Sequence, residues 1–166
     1  MELMKEPILP RDEADRLAKL NSLSILDSAA EERFDRITRI AKRLFNVPIV
    51  LVSLIDEDRQ WFKSCIGLDV LQTGRDISFC GHAIHDSRLF VVEDTALDPR
   101  FSDNPLVLNE PFIRFYAGCP LQMGDGSALG TLCLIDNRVR SFSKQDLELF
   151  KDLGKITEME LSLTSL

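Results

Sequence analysis

The feature that most constrains this chain is the run Ile49-Val50-Leu51-Val52-Ser53-Leu54-Ile55. It is apolar and β-branched without polar alternation, the pattern of a strand buried on both faces. Val47 to Ile55 is also the longest nearly pure apolar stretch, and it is far too short to span a bilayer. A chain built on such a strand has to cover it from two sides. The 166 residues, 45% of them hydrophobic, are enough for one domain with a sizeable core.

The surroundings of this strand set the class. Asp56-Glu57-Asp58-Arg59 is a polar turn, and Gln60 to Ile66 is its hairpin partner, ending at Gly67. On that partner Trp61 and Phe62 face opposite sides, one toward a helical layer and one toward a pocket. A second hairpin joins Phe115–Leu121 to Ala128–Ile135 through Gly124-Asp125-Gly126, and Leu89 to Val92 is a further short strand. Helices flank the strands. Ala14, Leu17 and Leu20 recur at helical spacing within Arg11–Leu26. Ser28 and Glu31 read as a capping box opening a helix through Phe34, Ile37, Ala41, Leu44 and Phe45, which Asn46-Val47-Pro48 ends. Ser143 with Asp146 caps a last helix carrying Leu149, Phe150, Leu153 and Ile156. Residues 68–79 are expected as loop, 81–86 as one or two helical turns, and 94–110 as a long loop with at most a short helix. Hairpins demand antiparallel pairing, so the fold class is α+β and not a doubly wound parallel sheet.

Composition narrows function. A net charge of −7 argues against nucleic-acid binding, which needs a basic stripe, and against anionic membrane surfaces. The first residues lack the order of a signal peptide, so a cytoplasmic location is expected. Cys65, Cys80, Cys119 and Cys133 form no CxxC pair and read as reduced thiols, mostly buried small hydrophobes. No phosphate-binding glycine loop, GxSxG or HExxH is present.

Several short motifs then occur in order: Leu26-Asp27-Ser28, Glu32-Arg33-Phe34-Asp35-Arg36, Val52-Ser53-Leu54-Ile55-Asp56, Arg59-Gln60-Trp61-Phe62-Lys63, Ile77-Ser78-Phe79-Cys80-Gly81-His82-Ala83-Ile84, Asp98-Pro99-Arg100-Phe101 and Leu129-Gly130-Thr131-Leu132-Cys133-Leu134-Ile135-Asp136. Together they closely resemble bacterial GAF domains of signalling proteins. The resemblance runs from about Arg11 to about Glu160 and leaves residues 1–10 as an N-terminal extension of one domain. It implies a central antiparallel sheet with the terminal helices on one face, and pocket-forming loops and short helices on the other. It implies a sensory module without catalytic residues, a small-molecule ligand of unknown identity, and an output module such as a diguanylate cyclase or a histidine kinase. The pocket residues expected on this basis are Phe79, Cys80, His82, Ala83, Arg114, Tyr116, Cys119 and Cys133. No cofactor or metal is expected.

Alternatives remain at four points. Cys80-Gly81-His82 suggests an activated thiol, two metal ligands or a chromophore anchor. Zinc lacks further ligands beyond His85, and bilin-binding relatives place His directly after the Cys. Free methionine sulfoxide reductases share the GAF fold and use pocket cysteines, so a thiol-dependent reductase using Cys80 or Cys119 is the rival function. The preferred reading is a pocket wall in which His82 bonds a backbone or carboxylate group. Arg114 either clamps an anionic ligand or pairs with Glu110. Asp94, Asp98, Asp103 and Asp125 are expected as turn formers and not as a cation site. Finally, the last helix carries more apolar residues than one core face needs, which suggests a homodimer through the terminal helices or a dimerisation scaffold.

Overall fold

The computed structural model describes residues 4–85 and 88–164. The Ile49–Ile55 run forms strand β1, buried at every position. Its hairpin partner β2 spans Arg59–Ile66. The second hairpin is β5 (Phe115–Gln122) and β6 (Ala128–Asp136), and β4 is Phe90–Val92. A three-residue strand β3, Gln72–Gly74, lies where only loop was expected. It pairs with Arg59–Trp61 at the edge and is too short to show a period of two. The six strands form one antiparallel sheet in the order β3-β2-β1-β6-β5-β4. The α+β class expected from the hairpins is the one observed.

Alternation along the two central strands divides the core. Val50, Val52 and Leu54 of β1 and Leu132 and Leu134 of β6 face the helical layer, with Trp61 beside them. Leu51, Ile55, Phe62, Cys133 and Ile135 face the opposite side. Trp61 and Phe62 thus divide between the faces as their positions required. The helical layer is α1 (Glu13–Ser22), α2 (Glu32–Phe45) and the C-terminal α5 (Lys144–Leu163). Phe34, Ile37, Ala41 and Phe45 of α2 pack with Phe150, Leu153 and Leu161 of α5. The other face is covered by α3 (Phe79–Ala83), α4 (Pro105–Leu108), two 3₁₀ turns (Arg75–Ile77 and Thr95–Leu97) and their connecting loops.

Two glycines permit close approaches. A Cβ at Gly130 would lie 1.8 Å from the Ser53 carbonyl oxygen, so β1 and β6 meet there only with hydrogen in its place. A Cβ at Gly154 would meet Cys119 Sγ at 2.3 Å, so α5 sits tightly on β5.

The capping boxes divide. At α5 both bonds form: Asp146 N–H donates to Ser143 Oγ and Ser143 N–H to Asp146 Oδ2, each at 3.0 Å. At α2 the Ser28 box is absent. The helix starts at Glu32, with Glu31 in extended conformation before it and no side-chain cap. The competing element is Lys63, the extra residue of a β-bulge where Val52 pairs with Ser64 and Ser53 with Phe62. Its buried ammonium takes Ser28 Oγ (2.8 Å), the Ala29 carbonyl (2.6 Å) and the Glu31 carboxylate (2.7 Å). Helix α1 is also shorter than expected, closing at Ser22 before Ser24 adopts φ 51°. The turn expected over 81–86 begins earlier, at Phe79, because Ser78 Oγ accepts Gly81 N–H. Asp86, its expected end, lies outside the described residues.

Candidate functional site

On the face away from the long helices, β1, β2 and β6 floor a cleft of about 360 Å³. Leu51, Phe62 and Ile135 form the floor, and residues 67–70 with Leu106, Pro111 and Ile113 form the walls. Gln60 and Thr73 supply the polar atoms of the interior, and the exposed carboxylates Asp69 and Glu110 stand among its lining. Gln60 is 5% exposed. Its Nε2 donates to Thr73 Oγ1 at 2.9 Å, while its Oε1 is buried without a partner. A buried acceptor left unpaired costs about 1–3 kcal/mol.

The edge strand that carries Thr73 leads directly to Arg75, whose side chain is buried. Arg75 reaches Glu13 on α1 with two guanidinium bonds, Nη1 at 2.5 Å and Nη2 at 3.1 Å, and Nη1 also donates to the Asp56 carbonyl at 3.0 Å. Glu13 accepts two further bonds from Arg16, both at 3.0 Å, and Arg16, fully buried, donates to the Ile55 carbonyl at 2.6 Å. Burial alone would raise the Glu13 carboxyl, but the bonds from Arg75 and Arg16 outweigh it and hold it at about 2. A terminal helix is thereby tied through one carboxylate to the edge of the cleft.

None of the eight residues expected in the pocket lines this cleft. Phe79, Cys80, Ala83, Tyr116 and Cys133 come together on the face that carries the cleft, as buried core. Phe79 stacks on Phe101 with ring centroids 4.1 Å apart, and Tyr116 lies 5.1 Å from Phe79. Cys119 lies on the other face, in the helical core. There, burial pushes its thiol up to about 12. Arg114 pairs with Asp94 at 3.1 Å and not with Glu110. His82 bonds a backbone group as expected, Nε2 lying 3.3 Å from the Lys5 carbonyl, and its ring meets the edge of Phe101. Asp94, Asp98 and Asp125 each accept a backbone N–H two residues on, which is turn duty.

The Cys80–His82 pair, which the sequence offered only as an alternative to a pocket wall, does not form. Residues two apart on a helical turn do not face each other, and Cys80 turns inward instead. Its sulfur meets Tyr116 Oη at 3.0 Å, Thr131 Oγ1 at 2.9 Å and Cys133 Sγ at 3.9 Å. Burial raises the Cys80 thiol, but hydrogen bonds from Cys133, Thr131 and Tyr116 more than offset this and bring it to about 7. The same burial pushes Tyr116 and Cys133 up. Ser53 Oγ is buried beside this group without a formed bond of its own. Among the described residues no three or more His, Cys, Asp or Glu side chains converge as a metal site, and no helix is long and apolar enough to cross a membrane.

Fold and site together define a small α+β module with a cleft over its sheet. The GAF domain family matches residues 29–161, and the chain belongs to that family. It is 44% identical over 154 residues to a cyclic di-GMP phosphodiesterase of Pseudomonas aeruginosa, a match that covers 92% of this chain and 26% of the relative. The chain therefore spans about a quarter of that protein's length. Among solved structures, it superposes on a type II free methionine-R-sulfoxide reductase from Thermoplasma acidophilum with TM-score 0.65 and 12% identity, over 88% of this chain and 96% of that one. The GAF domain of an Acinetobacter phosphoenolpyruvate-protein phosphotransferase gives 0.61 and 15%, over 90% and 98%. At such identities the superpositions establish the fold alone.

Sequence reasoning missed Gln60, Thr73, Glu13 and Arg75. Gln60 had a signal: it shares the strand face of Phe62, so a polar side chain was bound for an apolar interior. Thr73 sat in a segment without period. Glu13 and Arg75 are 62 residues apart, and nothing local pairs them.

Proposed function

We propose that this chain is a sensory GAF domain that takes a small molecule in the cleft over β1, β2 and β6 and is not itself catalytic. Occupancy would bias the terminal helices and, through them, an output module that turns over cyclic di-GMP. The carrying observation is the pair of contacts Gln60–Thr73 and Arg75–Glu13, joined through the backbone at Gly74, which runs from the cleft edge to α1, where Glu13 also holds Arg16. A ligand that bonds Gln60 differently from water shifts the edge strand, and a shift at Arg75 is felt at Glu13. Such coupling requires unequal affinity for two arrangements of that network. The 44% identity to one segment of a phosphodiesterase favours cyclic di-GMP turnover over a kinase as the output.

The test is a chimera in which this chain replaces the matching segment of the Pseudomonas phosphodiesterase. The expected result is cyclic di-GMP hydrolysis that changes with cleft substitutions such as Gln60→Leu. Hydrolysis by the isolated chain, or a chimera indifferent to the cleft, contradicts the proposal.

Self-association belongs to the same reading. Ile40 and Leu44 of α2 and Ile156, Met159 and Leu163 of α5 are exposed on neighbouring helices. A homodimer through these faces would cover them.

A second reading, a thiol-dependent reductase, has one observation in its favour. Cys80 is held near 7 and has Cys133 within 3.9 Å as a resolving thiol. Against it, Cys80 is 1% exposed and closed in by aromatic rings. Turnover of methionine sulfoxide with a dithiol reductant, abolished by Cys80→Ser, would establish it, and absence of turnover removes it.

A further inference from the structure

The chemistry of the cleft also selects the kind of molecule it takes. We infer that it binds a small primary amine with an apolar body and a hydrogen-bond donor at the far end, and that it rejects phosphate anions; this rests on the cleft being the sensory site. Its floor, Leu51, Phe62 and Ile135, is apolar and partly aromatic, and suits a ring or a short alkyl body. Its volume of about 360 Å³ lies at the small end of the range for ligand pockets, about 300–1,000 Å³.

The polar groups are unevenly placed. In the interior the unsatisfied atom is an acceptor, Gln60 Oε1, and it requires a donor. A neutral O–H or N–H suits this position better than an ammonium, since a buried cation opposite a neutral amide is poorly compensated. Asp69 and Glu110 are the two charged residues of the lining, and both are exposed. Neither carboxylate is ion-paired among the described residues. Among the described residues no Lys, Arg or His lines the cleft. The field at the opening is therefore negative, on a chain of net charge −7, and it favours a cation at the wet end. Cyclic di-GMP, with two phosphates and two guanosines, is both too large and of the wrong sign. The domain would then report on a different molecule from the one its proposed output consumes.

The probe that meets all three requirements is tyramine. Its phenol would donate to Gln60 Oε1, its ring would cover Phe62, and its ammonium would turn toward Asp69 or Glu110. Calorimetric titration compares tyramine, phenethylamine (which lacks the phenolic O–H) and cyclic di-GMP on the wild-type chain, on Gln60→Leu and on the double variant Asp69→Asn/Glu110→Gln. Thermal melting of each variant checks that it is folded. Tyramine should bind roughly 3- to 10-fold tighter than phenethylamine, the worth of one hydrogen bond. Gln60→Leu should erase that difference, and the double variant should weaken both amines about 2- to 5-fold. No binding of either amine, equal binding of the two, or binding unchanged in every variant overturns the inference, as does binding of cyclic di-GMP in their place. Hydrogen exchange of α1 separates this inference from the sensory reading. Amine binding that leaves α1 unchanged keeps the amine site and removes the sensory role. A cleft that takes an anion and alters α1 does the reverse.

Discussion

Replacing Glu13 with Gln should destabilise the chain by an amount the network itself sets. Glu13 is a carboxylate shared by Arg16 and Arg75, whose side chains are 0% and 6% exposed. Its carboxyl falls from an ordinary 4.5 to about 2 on folding, the guanidinium bonds outweighing burial. At about 1.4 kcal/mol per pH decade this corresponds to about 3 kcal/mol. The side chain is 17% exposed, so screening trims the figure to about 2–3 kcal/mol. The sign follows from the depressed value. The contribution is complete above the unfolded value of 4.5 and is lost as pH falls through the folded value of about 2. Gln keeps the shape and some hydrogen bonds but never carries the charge. Urea denaturation of both proteins at pH 7, 5, 4 and 3 is the assay. The stability gap should be about 2–3 kcal/mol at pH 7 and 5, and should narrow steadily below that. A gap below about 0.5 kcal/mol at pH 7, or one that does not change with pH, would refute the ion-pair account of this network.

Other perturbations test other parts of the structure. Leu51→Ala removes a 1%-exposed side chain from the central strand and the cleft floor, and should cost about 2–5 kcal/mol in denaturant melts; a loss below about 1 kcal/mol would mean the floor is not packed as described. Gly130→Ala places a methyl 1.8 Å from the Ser53 carbonyl oxygen, and should disrupt the β1–β6 pairing enough to lower expression and Tm sharply; a neutral melt would contradict that register. Light scattering at high protein concentration should give the mass of a dimer, and Ile156→Asp should return a monomer, because Ile156 is 47% exposed on the outer face of α5; a monomeric wild-type chain would contradict the homodimer.

The sheet was legible wherever the signal was local. The Ile49–Ile55 run, the two polar hairpin turns and the Ser143–Asp146 cap each encode their element within a few residues. The Ser28 cap failed because its competitor, Lys63, lies 35 residues away on a bulge that has no sequence mark. Five of the eight residues named for the pocket lie on the face that carries the cleft, though none of the eight lines it. Phe79-Cys80-Gly81-His82 looked like a site because it concentrates reactive side chains. Yet Phe101 and Tyr116 pack against that segment, and the cleft lies over Leu51, Gln60, Phe62 and Ile135. Whether aromatic side chains fill a hollow or line it depends on contacts between distant loops. Arg114 illustrates the same limit, since its partner Asp94 is 20 residues away and Glu110 is only four.

The most direct test of the central claim is hydrogen exchange across α1, Glu13–Ser22, with and without a saturating cleft ligand, in the wild-type chain and in Arg75→Gln. Tyramine is the first ligand to use, followed by any compound that raises Tm. The account predicts a ligand-dependent change in α1 protection that Arg75→Gln abolishes while cleft binding persists. A cleft ligand that leaves α1 unchanged, or an α1 response that survives Arg75→Gln undiminished, would contradict it.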